Sequence, residues 1–171
     1  MLSQGLKVQG VVMNFIDLFS TQTKKNNLPC SIFNAAMENI KEPVTSAQAQ
    51  IDKSHYRTVV KIDNHALISD EPLTIGGTDA GPSPQGLLLA SLGSCTAITL
   101  RMYIDRKMWA VDNITVNLTL YELDSTTLIE RQLSFEGVLS DEQKKRLIQI
   151  ADACPIHKML IGKIAIETGL V

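Results

Sequence analysis

Gly81-Pro82-Ser83-Pro84-Gln85-Gly86-Leu87-Leu88-Leu89-Ala90-Ser91-Leu92-Gly93-Ser94-Cys95-Thr96-Ala97 is the stretch on which the fold of this 171-residue chain turns. Pro84 suits the first turn of a helix, where its missing N–H costs nothing, and Ser83 can cap that turn. The pattern continues to a helix over residues 84–107. Leu87, Leu88, Leu89, Leu92, Ile98 and Leu100 point in several directions, which describes a helix buried on most sides. Gly86, Ala90, Gly93, Ser94 and Ala97 keep part of its surface thin, so another backbone can approach closely. We expect a central helix packed between a sheet and a second helix. The longest apolar run, residues 86–100, carries Ser91, Ser94, Thr96 and Thr99, stops at Arg101 and falls short of the roughly 20 residues that span a bilayer, so no membrane is expected as a partner.

Upstream, His55-Tyr56-Arg57-Thr58-Val59-Val60-Lys61-Ile62, a polar pair Asp63-Asn64 and Ala66-Leu67-Ile68 read as a β-hairpin. A loop punctuated by Pro72, Gly76, Gly77, Gly81 and Pro82 joins it to the helix. Downstream, residues 113–121 alternate apolar and polar side chains, and residues 127–138 form a partner strand across Asp124-Ser125. Ser140 and Gln143 have capping-box spacing, opening a helix to about Asp152 with Leu147, Ile148 and Ile150 inward. A short helix over 155–160 and a strand over 163–168 complete the order β-β-α-β-β-α-α-β, an α+β class with antiparallel hairpins. Residues 1–40 carry two amphipathic patterns, and 42–50 read as a linker. The expected division is therefore a helical N-terminal extension and linker, 1–50, followed by a domain over 51–171.

The composition narrows the function. Sixteen Lys and Arg against eighteen Asp and Glu leave a net charge of −2, with 44% hydrophobic residues. Nothing there forms the basic footprint of nucleic-acid binding, and Lys24-Lys25 and Lys144-Lys145-Arg146 are short enough to be solvated faces. A chain of this length hides roughly 70% of its unfolded surface and needs no disulfide staple. Cys30, Cys95 and Cys154 are odd in number and far apart, and no cleavable signal is evident, so a reducing, cytoplasmic compartment is expected.

Chemistry centres on the cysteines. Cys154-Pro155 stands at a helix start, where unpaired amides and the helix dipole favour a thiolate. Cys95 lies mid-helix, gains little from that dipole and would need a cation to ionise. Both residues are equally readable as small buried hydrophobes. Cys154 and His157 have ligand-like spacing but lack a second pair, so no metal is expected, and neither a Cys-x-x-Cys redox motif nor an orienting partner for a Cys/His hydrolase is present. Residue types alone leave the question at a thiol that is either reactive or structural.

The Gly81-to-Ala97 stretch, followed by Ala153-Cys154-Pro155-Ile156-His157-Lys158, resembles the OsmC/Ohr family of osmotically inducible and organic hydroperoxide resistance proteins. Asp70-Glu71-Pro72, Gly76-Gly77 and Arg101-Met102-Tyr103 are similar to its OsmC-like branch. The resemblance covers residues 54–171. It implies antiparallel sheets around two long central helices in an intertwined homodimer. It further implies a peroxidase in which Cys95 attacks an organic hydroperoxide, Cys154 resolves the product as a disulfide, and an external thiol or dithiol reductant resets the pair without a bound cofactor. The family holds its attacking cysteine ionised with a hairpin arginine, itself oriented by a glutamate ten residues before that cysteine. Here Gln85 occupies the glutamate position, and a neutral amide cannot make the charge-assisted bidentate pair. Arg57 is the hairpin's arginine, with Lys53 or His55 as other cations near the matching turn, and Glu71 or Asp79 could orient it. Two other readings stand beside the peroxidase: a non-catalytic module binding an apolar small molecule in the dimer cleft, and an interaction role exerted through residues 1–50.

Overall fold

The computed structural model describes residues 43–170. The two helices expected over 1–40, and Cys30, lie outside the described residues. Strand β1 (Ala47–Ile51) pairs antiparallel with β2 (Thr58–Ile62), which pairs with β3 (His65–Ser69), giving a sheet of order β1-β2-β3. The β2–β3 register, Ile62 opposite His65, leaves Asp63-Asn64 as the two-residue turn expected from sequence, with Asp63 at φ 50°. β1 falls inside the stretch read as a linker. Its Ala-Gln-Ala-Gln-Ile carries a single branched residue, Ile51, and no aromatic one, and pairing with β2, Ala49 opposite Val60, supplies what propensity does not.

The loop from β3 to the long helix is organised around the buried carboxylate of Asp70. One oxygen accepts the Glu71 N–H at 2.8 Å; the other accepts the Thr78 hydroxyl, the Thr78 N–H at 3.0 Å and the Ala80 N–H at 3.2 Å. The Thr78 hydroxyl bond, with the Ala80, Glu71 and Thr78 amides behind it, lowers its pKa from 3.8 to about 2. The glycines follow from the same tight wrapping: a Cβ on Gly77 would stand 1.8 Å from the Glu71 carbonyl oxygen, and one on Gly81 2.2 Å from that of Ile68. Because the folded pKa lies below the unfolded value, the carboxylate stabilises the fold above pH 3.8 and ceases to do so as pH falls towards 2. Asp70→Asn is therefore expected to lower the thermal midpoint by several degrees at neutral pH. The gap between variant and wild type should close between pH 3.8 and 2, as read by a series of melts.

Helix α1 (Pro84–Arg106) begins as expected, with the Ser83 hydroxyl accepting the Gly86 N–H at 3.1 Å and Pro84 in the first turn. It buries Leu92, Thr96, Thr99, Leu100, Tyr103 and Ile104. By length and composition alone α1 could cross a membrane, because the helix continues past Arg101, where the longest apolar run stops; here it packs against the elements that follow. Strands β4 (Val111–Leu123) and β5 (Thr126–Gly137) form an antiparallel hairpin turning at Asp124-Ser125. The β4 strand lies against α1, and Gly93 gives it room: a Cβ there would meet the Leu118 side chain at 3.1 Å.

Helix α2 (Asp141–Ala151) opens with the capping box read from sequence, Ser140 N–H to Gln143 Oε1 at 2.7 Å and Gln143 N–H to Ser140 Oγ at 3.3 Å. Leu147, Ile150 and Ala151 face the core. Ile148, expected inward, is exposed, because one residue's rotation of about 100° carries it off the Leu147–Ala151 stripe. The core joins Leu100, Tyr103 and Ile104 of α1 to Val111, Leu147, Ile150 and Ala151, with Trp109 edge-on to Tyr103 at 5.6 Å. Helix α3 (Pro155–Leu160) follows, with Cys154 as its N-cap residue. Residues 163–168, expected as a strand, pair with no strand among the described residues; Ile164 and Ile166 alternate as a strand would but stand exposed without a neighbouring edge.

Candidate active site

Cys95 sits midway along α1, partly buried, and Cys154 is fully buried at the N-cap of α3. The fold brings the two side chains near enough for Cys154 to act on the ionisation of Cys95, both as free thiols. Two neighbours complete the setting of Cys95. Its carbonyl accepts the hydroxyl of buried Thr99 at 2.8 Å, the Ile156 backbone amide in the first turn of α3 is directed at its thiol, and Thr99 also favours the thiolate. Burial pushes the Cys95 thiol up, and the hydrogen bond with Cys154 pushes the same way; the Ile156 amide and the Thr99 hydroxyl oppose them without prevailing. None of these groups is a cation. The amide at the start of α3 thus acts on Cys95, whereas the sequence pointed to Cys154 as the thiol served by that helix start, since nothing local to residue 95 reveals which helix end it faces.

The remaining sequence candidates lie elsewhere in the chain. Arg57 is exposed just before β2, and the charge it acts on is Asp52. Glu71 contributes its backbone to the Asp70 loop, donating to Asp70 and accepting the Asp79 N–H at 3.2 Å. Gln85 stands in the first turn of α1, about 15 Å of helical rise from Cys95, and its amide donates to Glu122 Oε1 on β4 at 3.0 Å. Within one chain, therefore, Arg57, Glu71 and Gln85 are not among the groups that act on Cys95.

Sequence reasoning missed the residue that ties the two cysteine segments together. Arg131 of β5 donates to Ala151 O at 3.1 Å, to Asp152 Oδ1 at 2.6 Å and, at 3.4 Å, to the hydroxyl of buried Thr96. The signal was present. Ile129, Arg131, Leu133 and Phe135 share the inward parity of β5, where a cation interrupts an apolar row. A cavity of about 420 Å³ between β5 and α2, lined by Leu133, Phe135, Leu139 and Ile148 among others, includes neither cysteine. Among the described residues no group of three or more His, Cys, Asp or Glu is placed to hold a metal ion.

An α+β chain with a long apolar helix carrying one free thiol, and a second thiol at the start of a short helix beside it, defines a protein of the OsmC/Ohr fold. The family described as OsmC-like protein matches residues 77–169, more than half of the sequence, and the chain belongs to that family. Among solved structures it is similar to an OsmC-like protein of Mycoplasma pneumoniae at 19% identity, covering 71% of this chain and 89% of that one with a TM-score of 0.62. It is also similar to an organic hydroperoxide resistance protein of Elizabethkingia anophelis at 18% identity, covering 72% and 91%, TM-score 0.57. A third, an organic hydroperoxide resistance protein OsmC of Legionella pneumophila, is 19% identical over 70% of this chain and 90% of that one, TM-score 0.53. No curated protein matches the chain in sequence. At these identities the likeness speaks for the fold.

Proposed function

We propose that the chain is a thiol-dependent peroxidase that reduces organic hydroperoxides. The observation that carries this reading is the placement of the Cys154 thiol close enough to act on the ionisation of Cys95, on separate elements of a fold shared with proteins named for organic hydroperoxide resistance. The Cys95 thiolate attacks the distal peroxide oxygen; the O–O bond breaks, the alkoxide takes a proton and leaves as the alcohol, and Cys95 becomes a sulfenic acid. Cys154 then attacks that sulfur, the hydroxyl leaves as water, and a Cys95–Cys154 disulfide forms. An external dithiol returns both residues to thiols and is itself oxidised, which places the cycle in a reducing compartment such as the cytoplasm.

The working unit is a homodimer. Leu88, Ile98 and Met102 of α1 are 40%, 60% and 48% exposed in the single chain, an apolar surface that a second copy would cover. The partner is also the source of the cation that Cys95 lacks. Arg57 is the candidate, with Gln85 or Glu71 orienting it.

Cys154→Ser protein is expected to reduce one equivalent of an organic hydroperoxide and stop, with Cys95 held as sulfenic acid that dimedone labels; mass spectrometry of the adduct checks it, and sustained turnover with a dithiol would contradict the assigned role of Cys154. The raised Cys95 pKa and the neutral Gln85 favour a second reading, a non-catalytic module holding an apolar small molecule. The same experiment separates the two, since such a module forms no sulfenic acid at one equivalent.

A further inference from the structure

We infer that Arg131 is the positioning residue for the resolving step, setting the approach of Cys154 to Cys95; the inference rests on the roles proposed above for those two residues. The guanidinium spans the two segments that must meet. On one side it reaches the hydroxyl of Thr96, the residue next to Cys95. On the other it donates to Ala151 O, the carbonyl that also accepts the Cys154 N–H at 3.3 Å, and to Asp152, two residues before Cys154.

Its chemistry suits that task better than packing. The position belongs to the inward row of β5, between Ile129 and Leu133, and an apolar side chain there would fill the space without desolvating a charge. The Arg131 side chain is instead only 14% exposed, while its partner Asp152 reaches solvent at 56%. An arginine fork can serve several acceptors at fixed angles, which a lysine cannot. The acceptors it serves are the last carbonyl of α2, which it shares with the Cys154 N–H, and the carboxylate of the C-cap residue Asp152. The clamp therefore fixes the corner from α2 to α3, and with it the direction from which the Cys154 sulfur meets Cys95.

Resolution is a displacement at sulfur and so depends steeply on alignment. The test measures two rates in wild type, Arg131→Met, Arg131→Lys and Asp152→Asn after one equivalent of cumene hydroperoxide: Cys95 sulfenic acid captured by dimedone, and the Cys95–Cys154 disulfide by non-reducing peptide mapping. The ratio of disulfide formation to sulfenic acid formation is expected to fall about tenfold or more in Arg131→Met and less in Asp152→Asn, with Arg131→Lys between wild type and Arg131→Met. A purely structural role would lower the thermal midpoint and leave the ratio alone. A wild-type ratio in folded Arg131→Met overturns the inference. Should that variant not fold, a wild-type ratio in Asp152→Asn, altered at an exposed position, overturns it.

A parallel series with diamide, which oxidises two thiols to a disulfide without a sulfenic acid and is itself reduced to the hydrazine, separates this inference from the peroxidase reading. Slowed closure with diamide in Arg131→Met upholds the clamp even where wild type ignores hydroperoxide, an outcome that removes only the peroxidase. Unslowed closure with diamide removes only the clamp.

Discussion

Cys95→Ser protein is expected to lose hydroperoxide consumption by at least about a thousandfold, to the background of the buffer, with its fold intact. A serine hydroxyl does not ionise near neutral pH, so the group that attacks the peroxide oxygen disappears while the side chain's volume hardly changes. Cys154 does not replace it, because it is fully buried at the N-cap of α3, where a hydroperoxide has no approach. The Ile156 amide stays in place, yet the thiolate it favours is no longer there. Following peroxide loss under excess dithiol checks the expectation, and wild-type consumption by the variant would exclude Cys95 as the nucleophile.

Leu100→Ala carries the largest expected loss of stability, about 2–5 kcal/mol. Leu100 is fully buried, one turn beyond Thr96 and next to Thr99 on α1, and packs in the cluster with Ile104, Leu147, Ile150 and Ala151. Truncation removes its transfer energy and leaves a cavity between α1 and α2 that neither helix can close, since both carry other buried partners. Set against the 5–15 kcal/mol typical of a folded domain, that is a large share. Because the same α1–α2 contact carries the Cys154 corner, the variant should also close its disulfide more slowly. Denaturant unfolding under reducing conditions checks the first effect, and a loss below about 1 kcal/mol would show that the site collapses around the smaller residue.

The helix and the long hairpin were legible in the sequence because their signals are local. Ser83 and Pro84 announce the start of α1, Ser140 and Gln143 box the start of α2, and the alternation from Ile114 to Leu120 sets the period of β4. β1 was not legible, since Ala-Gln-Ala-Gln becomes a strand only through its pairing to β2. Residues 163–168 failed in the opposite direction: they carry strand alternation and no strand edge to use it on among the described residues. The candidate site divides in the same way. Cys95 and Cys154 could be paired through their motifs, which belong to short stretches of chain. Arg131, Thr96, Thr99 and Ile156 come together through the packing of α1 against β5 and α3, so composition and spacing could at most flag Arg131 as a cation at an inward position. Arg57, Glu71 and Gln85 follow from the resemblance, and in the single chain Arg57 acts by its charge on Asp52, while Glu71 bonds within the Asp70 loop and Gln85 to Glu122.

Titrating the reduced protein with an organic hydroperoxide tests the proposed redox event directly. One equivalent per chain should yield one Cys95–Cys154 disulfide and one equivalent of alcohol, with both thiols recovered on adding a dithiol. Peroxide that survives the addition, or thiols that remain free while it is consumed, would contradict it.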